Sequence, residues 1–322
     1  MSFSGKVKEE LSQHISSARH CQIAETAAIL SCCGEENFNE NGEWILKVHT
    51  ENIAVARKYF TLLKKAFNIK AEISIRRNQE KKSILYLIGI TKQEDVDRVL
   101  KATKLLKDGS HHDAFSGING LVIQNSCCKR AFLRGAFLSA GSMSDPKKSY
   151  HFEIVCGTME KAGIIQKLMK DFEMDAKVVK RKKSFVVYLK EGAQIALVLN
   201  VMEAHVALME LENIRILKEM RNSVNRKVNC ETANINKTVS AAVKQVEDIS
   251  YIKETMGFEE LSDGLRDIAE ARLNYPEATL KELGELMPEP IGKSGVNHRL
   301  RRLGDIAENL RKVKGIKEVQ ND

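Results

Sequence analysis

Two stretches of the chain repeat one succession of local signals, and that repetition limits the folds open to it. Ala24-Glu25-Thr26-Ala27-Ala28-Ile29-Leu30-Ser31-Cys32-Cys33-Gly34 and Ala131-Phe132-Leu133-Arg134-Gly135-Ala136-Phe137-Leu138-Ser139-Ala140-Gly141 are both helical runs of small and apolar residues. Each ends in glycine, a natural helix C-cap. Trp44-Ile45-Leu46-Lys47-Val48-His49 and Tyr150-His151-Phe152-Glu153-Ile154-Val155 then read as strands. Amphipathic helices follow, one at Ala54–Phe67 with Val55, Tyr59, Leu62, Leu63 and Phe67 inward, the other at Lys161–Phe172 with Ile164, Ile165, Leu168, Met169 and Phe172 inward. Next come hairpins, Lys70–Ile75 returning through Ser83–Ile88 and Asp175–Val179 returning through Ser184–Leu189. Each half closes with a helix, near Glu94–Leu106 and near Ala193–Met202.

Two α-β-β-α-β-β-α units in one chain predict a pseudo-two-fold α+β body. Residues 20–110 and 126–200 are expected to superpose, with the helices at 24–34 and 131–141 side by side. Small residues on those helices permit a close approach, and packing is reason enough for their alanine, glycine and cysteine positions.

This order of elements resembles the LAGLIDADG homing endonucleases. Aligned on the last glycine, Thr26–Gly34 and Leu133–Gly141 fall on that family's nine-residue motif, and Ala27, Gly34, Leu133, Gly135 and Gly141 match its letters. The resemblance implies a central helix pair whose penultimate motif residue is an acid that holds the catalytic metal. Cys33 and Ala140 stand there instead. A hard cation needs oxygen ligands, and two-metal cleavage of a phosphodiester needs converging carboxylates. Alanine offers no donor and a thiolate is a poor ligand for magnesium. Glu35, Glu36 and Asp145 are near in sequence but follow the helices. The expectation is a body without nuclease activity, without a metal and without a cofactor.

The chain has 322 residues, 43% hydrophobic and 29% charged, with a net charge of +8. Those values describe a globular chain of two or three domains. A basic excess favours polyanionic partners. No apolar run approaches the roughly 20 residues that span a bilayer. Met1–Glu10 lacks an apolar signal core and reads as a capped amphipathic helix, so a cytoplasmic location is expected. The seven cysteines, Cys21, Cys32, Cys33, Cys127, Cys128, Cys156 and Cys230, show no C-x-x-C spacing and read as buried, reduced thiols. Neither a phosphate-binding G-x-x-x-x-G-K-[ST] loop nor a G-x-S-x-G elbow is present, which leaves nucleotide hydrolysis and serine-hydrolase chemistry without support.

The hairpin tips are basic in both halves: Arg76, Arg77, Lys81 and Lys82, then Lys177, Lys180, Arg181, Lys182 and Lys183. Equivalent basic tips would suit two phosphate backbones, while solvated lysines at a hairpin tip are an equally ordinary feature. Leu197–Asn222 reads as a helical connector. Asn225–Thr238 is rich in asparagine, threonine and basic residues, which serve caps and turns and also bind phosphates and base edges. A helix is expected from Val239 to Met256.

The last segment carries three helices. Ser262 opens one that buries Leu265, Ile268, Ala269 and Leu273. Thr279-Leu280-Lys281-Glu282 is a capping box that opens a second, ending near Met287, before Pro288-Glu289-Pro290-Ile291-Gly292 breaks it. Ser294 is expected to cap a third that buries Val296, Leu300, Leu303 and Ala307 and turns Asn297, His298, Arg299, Arg301 and Arg302 outward. Three such helices with a basic third fit a helix-turn-helix; a bundle with a solvated basic face is the alternative.

Two repeats, the segment Asn225-Arg226-Lys227-Val228-Asn229-Cys230-Glu231-Thr232-Ala233-Asn234 and the run Ser294-Gly295-Val296-Asn297-His298-Arg299-Leu300, in this order, closely resemble the WhiA family. The resemblance implies a degenerate LAGLIDADG-like body joined to an all-α C-terminal helix-turn-helix domain. It also implies a regulator of sporulation or cell division in Gram-positive bacteria. The chain divides accordingly into residues 1–125 with the first repeat, 126–210 with the second, a helical linker at 211–258 and the helix-turn-helix at 259–322. The expected function is non-enzymatic, sequence-specific regulation of transcription on double-stranded DNA, in the cytoplasm and on the nucleoid, with protein partners in transcription or division possible. Expected DNA contacts are Lys293, Ser294, Asn297, His298, Arg299, Arg301 and Arg302, with Arg226, Lys227, Lys180 and Lys182 in support. A metal-dependent endonuclease and a division or nucleoid protein of low sequence specificity are the competing functions.

Overall fold

In the computed structural model, residues 2–38, 44–78, 83–105 and 119–319 are described. Contacts divide the chain into two compact units, Met1–Glu219 and Met220–Asp322.

The first unit opens with helix α1 (Phe3–Gln13), whose N-cap Ser2 accepts from the Gly5 N–H at 3.1 Å and whose Phe3, Val7 and Leu11 are buried. The repeat then follows twice. Helix α2 (Arg19–Cys33), strands β1 (Gly34–Phe38) and β2 (Trp44–Thr50), helix α3 (Ile53–Phe67), strands β3 (Glu72–Asn78) and β4 (Ser83–Ile90) and helix α4 (Gln93–Ala102) form the first half. Helix α5 (Ser126–Ala140), strands β5 (Gly141–Met143) and β6 (Phe152–Cys156), helix α6 (Met159–Lys170), strands β7 (Lys177–Arg181) and β8 (Ser184–Leu189) and helix α7 (Gly192–Met202) form the second. Each half has one antiparallel four-stranded sheet, in the order β1-β2-β4-β3 and β5-β6-β8-β7. Both halves therefore carry the expected αββαββα order. The end of the expected helix at Leu106 lies outside the described residues.

Gly34 and Gly141 do not end their helices in the left-handed conformation expected of C-cap glycines. Both are extended, with φ of −76° and −88°, and each is the first residue of a strand. The left-handed cap occurs instead after α3, where Asn68 has a φ of 58°, and Glu173, just beyond α6, repeats it at 62°.

Helices α2 and α5 pack side by side through Ala24, Ala27, Ala28, Ala131 and Ala136, all buried. A Cβ on Gly135 would lie 2.6 Å from the Glu25 carbonyl oxygen and 2.9 Å from the Ala28 Cβ, so glycine sets the helix separation. The same interface holds ionic groups. Glu25, Lys58 and Arg134 are all buried, with Lys58 Nζ 2.9 Å and Arg134 Nε 3.0 Å from Glu25 Oε1. Arg134 also donates to Glu203 and, at 2.9 Å, to the Ser16 hydroxyl. These residues tie α2, α3, α5, the end of α7 and the chain after α1 into one network, which satisfies charges that could not be buried singly.

Helix α8 (His205–Thr255) is continuous for 51 residues. Its first free N–H groups, on Val206 and Ala207, are accepted by the Glu10 carboxylate at 2.8 and 3.0 Å. The division drawn at 210/211 falls inside this helix. The segment Asn225–Thr238, whose composition suits caps and turns as well as contacts to phosphates and base edges, is helical throughout, and residues 221–240 are all exposed.

The second unit adds helices α9 (Asp263–Asn274), α10 (Leu280–Glu285) and α11 (Lys293–Val319) to the rest of α8. Ile249 and Ile252 of α8 share a core with Leu261, Leu265, Ile268, Leu283, Met287, Val296, Leu300, Leu303 and Ala307. Leu273 is half-buried, and Arg272 takes the inward position beside it, donating to the carbonyls of Pro276 and Ala278 at 3.2 and 2.7 Å. Among the described residues, no helix is long and apolar enough to cross a membrane.

Candidate nucleic-acid interface

The capping box forms as the sequence requires. The Glu282 N–H donates to the Thr279 hydroxyl at 3.3 Å, and the Thr279 N–H donates to the Glu282 carboxylate at 2.7 Å. The Thr279 N–H, and after it the Thr279 hydroxyl, hold the Glu282 carboxyl below its usual pKa. The Ile291 N–H then returns to the Gly284 carbonyl at 3.1 Å, closing the turn before α11.

Helix α11 begins at Lys293. The Gly292 carbonyl accepts from the Gly295 and Val296 N–H groups at 2.9 and 3.2 Å, which puts Gly292 at the cap. Ser294 is therefore not the cap; it lies in the first turn with its side chain exposed. Val296, Leu300, Leu303 and Ala307 are buried, as the periodicity requires, and Lys293, Ser294, His298, Arg301 and Arg302 are exposed.

Two residues expected on the outward face lie elsewhere. Arg299 follows Val296 by three positions and precedes Leu300, which puts it on the flank of the buried stripe. It is half-buried, and its guanidinium donates to the Gly264 carbonyl of α9 at 3.2 Å. Asn297 is half-buried and lines a groove with Val239, Val243, Arg272 and Leu280. Arg299 thus braces α11 against α9, leaving Arg301 and Arg302 as the exposed arginines of this run.

The supporting cations are dispersed. Arg226 and Lys227 are exposed on α8, in the second unit. In the first unit Lys180 and Lys182 are exposed at the β7–β8 hairpin, where Lys182 has a φ of 55°, and Arg181 pairs with Glu153 at 3.6 Å. Arg76 and Arg77 are exposed near the end of β3; Lys81 and Lys82 lie outside the described residues.

At the C-terminal end of the α2–α5 pair, the Cys33 thiol points to the Ser139 carbonyl at 3.7 Å. Burial pushes that thiol up, against the pull of the Ser139 contact and the Lys8 ammonium. Lys161 donates to the Ser31 carbonyl at 2.7 Å. The Lys8 and Lys161 ammonium groups thus both act at the C-terminal end of α2. Glu35 is exposed and lies 3.4 Å from His49, and Asp145 is exposed in a turn, accepting from the Lys147 N–H at 2.9 Å. Among the described residues, the group of three or more His, Cys, Asp or Glu side chains that come together includes neither of them.

Comparison with known proteins places each segment. Residues 19–106 match the WhiA N-terminal LAGLIDADG-like domain, 129–221 the WhiA LAGLIDADG-like domain and 224–307 the WhiA C-terminal helix-turn-helix domain. The probable cell division protein WhiA of Lachnoclostridium phytofermentans is 55% identical over 97% of this chain and 100% of its own length. That of Alkaliphilus oremlandii is 50% identical over 98% and 99%. Among solved structures, full-length WhiA from Thermatoga maritima aligns with a TM-score of 0.58 at 26% identity, over 96% of this chain and 99% of that one. With a LAGLIDADG-like body, a helix-turn-helix domain and relatives matched nearly end to end, the chain belongs to the WhiA family.

Proposed function

We propose that this chain is a non-enzymatic, sequence-specific regulator of transcription that binds double-stranded DNA through helix α11. The observation that carries this reading is the exposed set Ser294, His298, Arg301 and Arg302, on the side of α11 away from its buried Val296, Leu300 and Leu303, with Lys293 exposed at the start of the helix. A helix so arranged can place arginines on base edges and hydroxyl or ammonium groups on phosphates. Arg226 and Lys227 on α8, and Lys180 and Lys182 on the hairpin, would add phosphate contacts that raise affinity without reading sequence. The relatives' names support a role in cell division, and the family resemblance extends this to sporulation. The protein would act in the cytoplasm, on the nucleoid, where partners in transcription or division are available to it.

The thiol, the alanine and the two ammonium groups at the end of the central helix pair support a body without nuclease activity. Genome-wide mapping of bound sites, followed by competition between a recovered duplex and random DNA at fixed salt, tests the regulator reading. A large specificity ratio is expected. Equal affinity for both duplexes would indicate a DNA-binding protein of low specificity, and metal-dependent nicking of plasmid by nuclease-free preparations would indicate an endonuclease.

A further inference from the structure

Sequence spacing separates Cys21 from Cys127 and Cys128 by more than a hundred residues, yet the fold brings them together around one imidazole. His20 Nδ1 lies 3.1 Å from Cys128 Sγ, 3.4 Å from Cys21 Sγ and 4.0 Å from Cys127 Sγ. All four candidate ligand atoms lie within 4.8 Å of one another. We propose that His20, Cys21, Cys127 and Cys128 form a closed, structural Zn2+ site that staples the first turns of α2 and α5.

The geometry is close to what such an ion needs. With Zn–S near 2.3 Å and Zn–N near 2.0–2.1 Å, a tetrahedron has ligand–ligand edges of about 3.5–3.8 Å. The observed separations bracket that range, so capture requires only rotamer adjustment and a contraction of about 1 Å at the widest edge. Three sulfurs and one imidazole are the donor set of a structural zinc finger, and soft donors select zinc over magnesium or calcium. Four protein ligands leave no open position, so the ion would be structural rather than catalytic.

His20 and Cys21 lie in the first turn of α2, and Cys127 and Cys128 in the first turn of α5. Burial pushes the Cys21 and Cys128 thiols up, so an ion must displace their protons as it binds. Cys21 and Cys128 are buried while His20 and Cys127 are exposed, giving an ion a route in. Binding would release three thiol protons to solvent, with His20 ligating as the neutral imidazole through Nδ1. The close approach of α2 and α5 at Gly135 holds the two pairs in register, so the staple closes an interface the core already builds.

The test is metal analysis of the full-length chain, purified without chelators from zinc-supplemented culture, together with cobalt substitution of the metal-free protein. One zinc per chain is expected, with a Co2+ spectrum showing tetrahedral ligand-field bands and sulfur-to-metal charge transfer. Cys21→Ser and Cys128→Ser should each abolish stoichiometric zinc, and Cys230→Ser should retain it. If the buried variants fail to fold, His20→Ala and Cys127→Ser, which alter exposed ligands, serve in their place, and the wild-type cobalt spectrum is decisive by itself. Wild-type protein with only trace zinc and no thiolate-cobalt spectrum would overturn the proposal. So would unchanged zinc in the His20→Ala/Cys127→Ser variant, or a disulfide among these cysteines in freshly purified protein.

Discussion

The Arg134 guanidinium donates to the Glu25 carboxylate at 3.0 Å with both side chains closed off from solvent, across the interface of the two central helices. Lys58 reaches the same carboxylate oxygen at 2.9 Å, so Glu25 bridges two buried cations, with Glu203 as a second carboxylate for Arg134. Glu25→Gln removes that compensation, and breaking a buried pair on one side costs about 3–5 kcal/mol. Urea unfolding of the full chain should show a lower midpoint at unchanged slope. A loss within about 0.5 kcal/mol, the size of an ordinary surface substitution, would mean that the network does not hold the halves together.

Two glycines should respond in opposite directions. Gly135→Ala forces a methyl against the Glu25 carbonyl 2.6 Å away, a backbone atom that cannot rotate aside. Overpacking of that kind costs about 1–3 kcal/mol. Gly163, inside α6, has nothing within 4 Å of the same added atom, so Gly163→Ala should stabilise by up to about 1 kcal/mol. Calorimetry of both variants checks the pair, and equal effects would count against glycine as the spacer of α2 and α5.

The acid side of the stability profile should report Glu203. Burial alone raises its carboxyl, but the hydrogen bond and charge of Arg134, with His14, hold it below the usual glutamate value. A folded value below the unfolded one means that the ionised carboxylate stabilises the native state at neutral pH. That contribution is lost as pH falls from about 4.3 through the lowered folded value. Glu203→Gln should therefore be less stable than wild type near neutrality, with the gap closing as the solution is acidified. A gap that stays constant with pH would show that the charge is not what matters.

Arg299 separates bracing from recognition. Its guanidinium is engaged by the Gly264 carbonyl, and a Cβ on Gly264 would lie 3.1 Å from the Arg299 Cζ. Arg299→Ala should lower the thermal midpoint of the helix-turn-helix unit by the loss of a charged hydrogen bond, about 1.5–3 kcal/mol. Arg301→Ala and Arg302→Ala, at exposed positions, should leave it unchanged. A stable Arg299→Ala variant with impaired DNA binding would return that residue to the reading surface.

The repeat was legible because its signals are local: apolar spacing in α3 and α6, alternation in β2 and β6, and short apolar runs in β4 and β8. Strands β1 and β5 were harder to place, since Gly34-Glu35-Glu36-Asn37-Phe38 is largely polar and β5 has three residues. The continuity of α8 was hidden because asparagine and threonine favour caps over helix interiors, and α8 is helical through them regardless. Long-range pairing left no local trace. Glu25 and Arg134 are isolated charges in small-residue runs with no local feature to pair them, and the His20 cluster lacks the short C-x-x-C spacing by which zinc sites are read. Arg299 was misplaced for a geometric reason: a position beside an apolar stripe can face the neighbouring helix as easily as solvent.

The central claim, DNA recognition by α11, is tested most directly by titrating wild type and the Arg301→Ala/Arg302→Ala variant against a recovered target duplex and a random duplex at two salt concentrations. Each bidentate base contact contributes about 1–3 kcal/mol of discrimination, and each lost phosphate contact lowers the salt slope by about one unit. The account predicts at least a tenfold loss of affinity for the target in the variant, at an unchanged thermal midpoint. The loss on random DNA should be smaller if the arginines read bases, and equal, with a shallower salt dependence, if they hold phosphates. Unchanged affinity of the folded variant for both duplexes at both salt concentrations would contradict it.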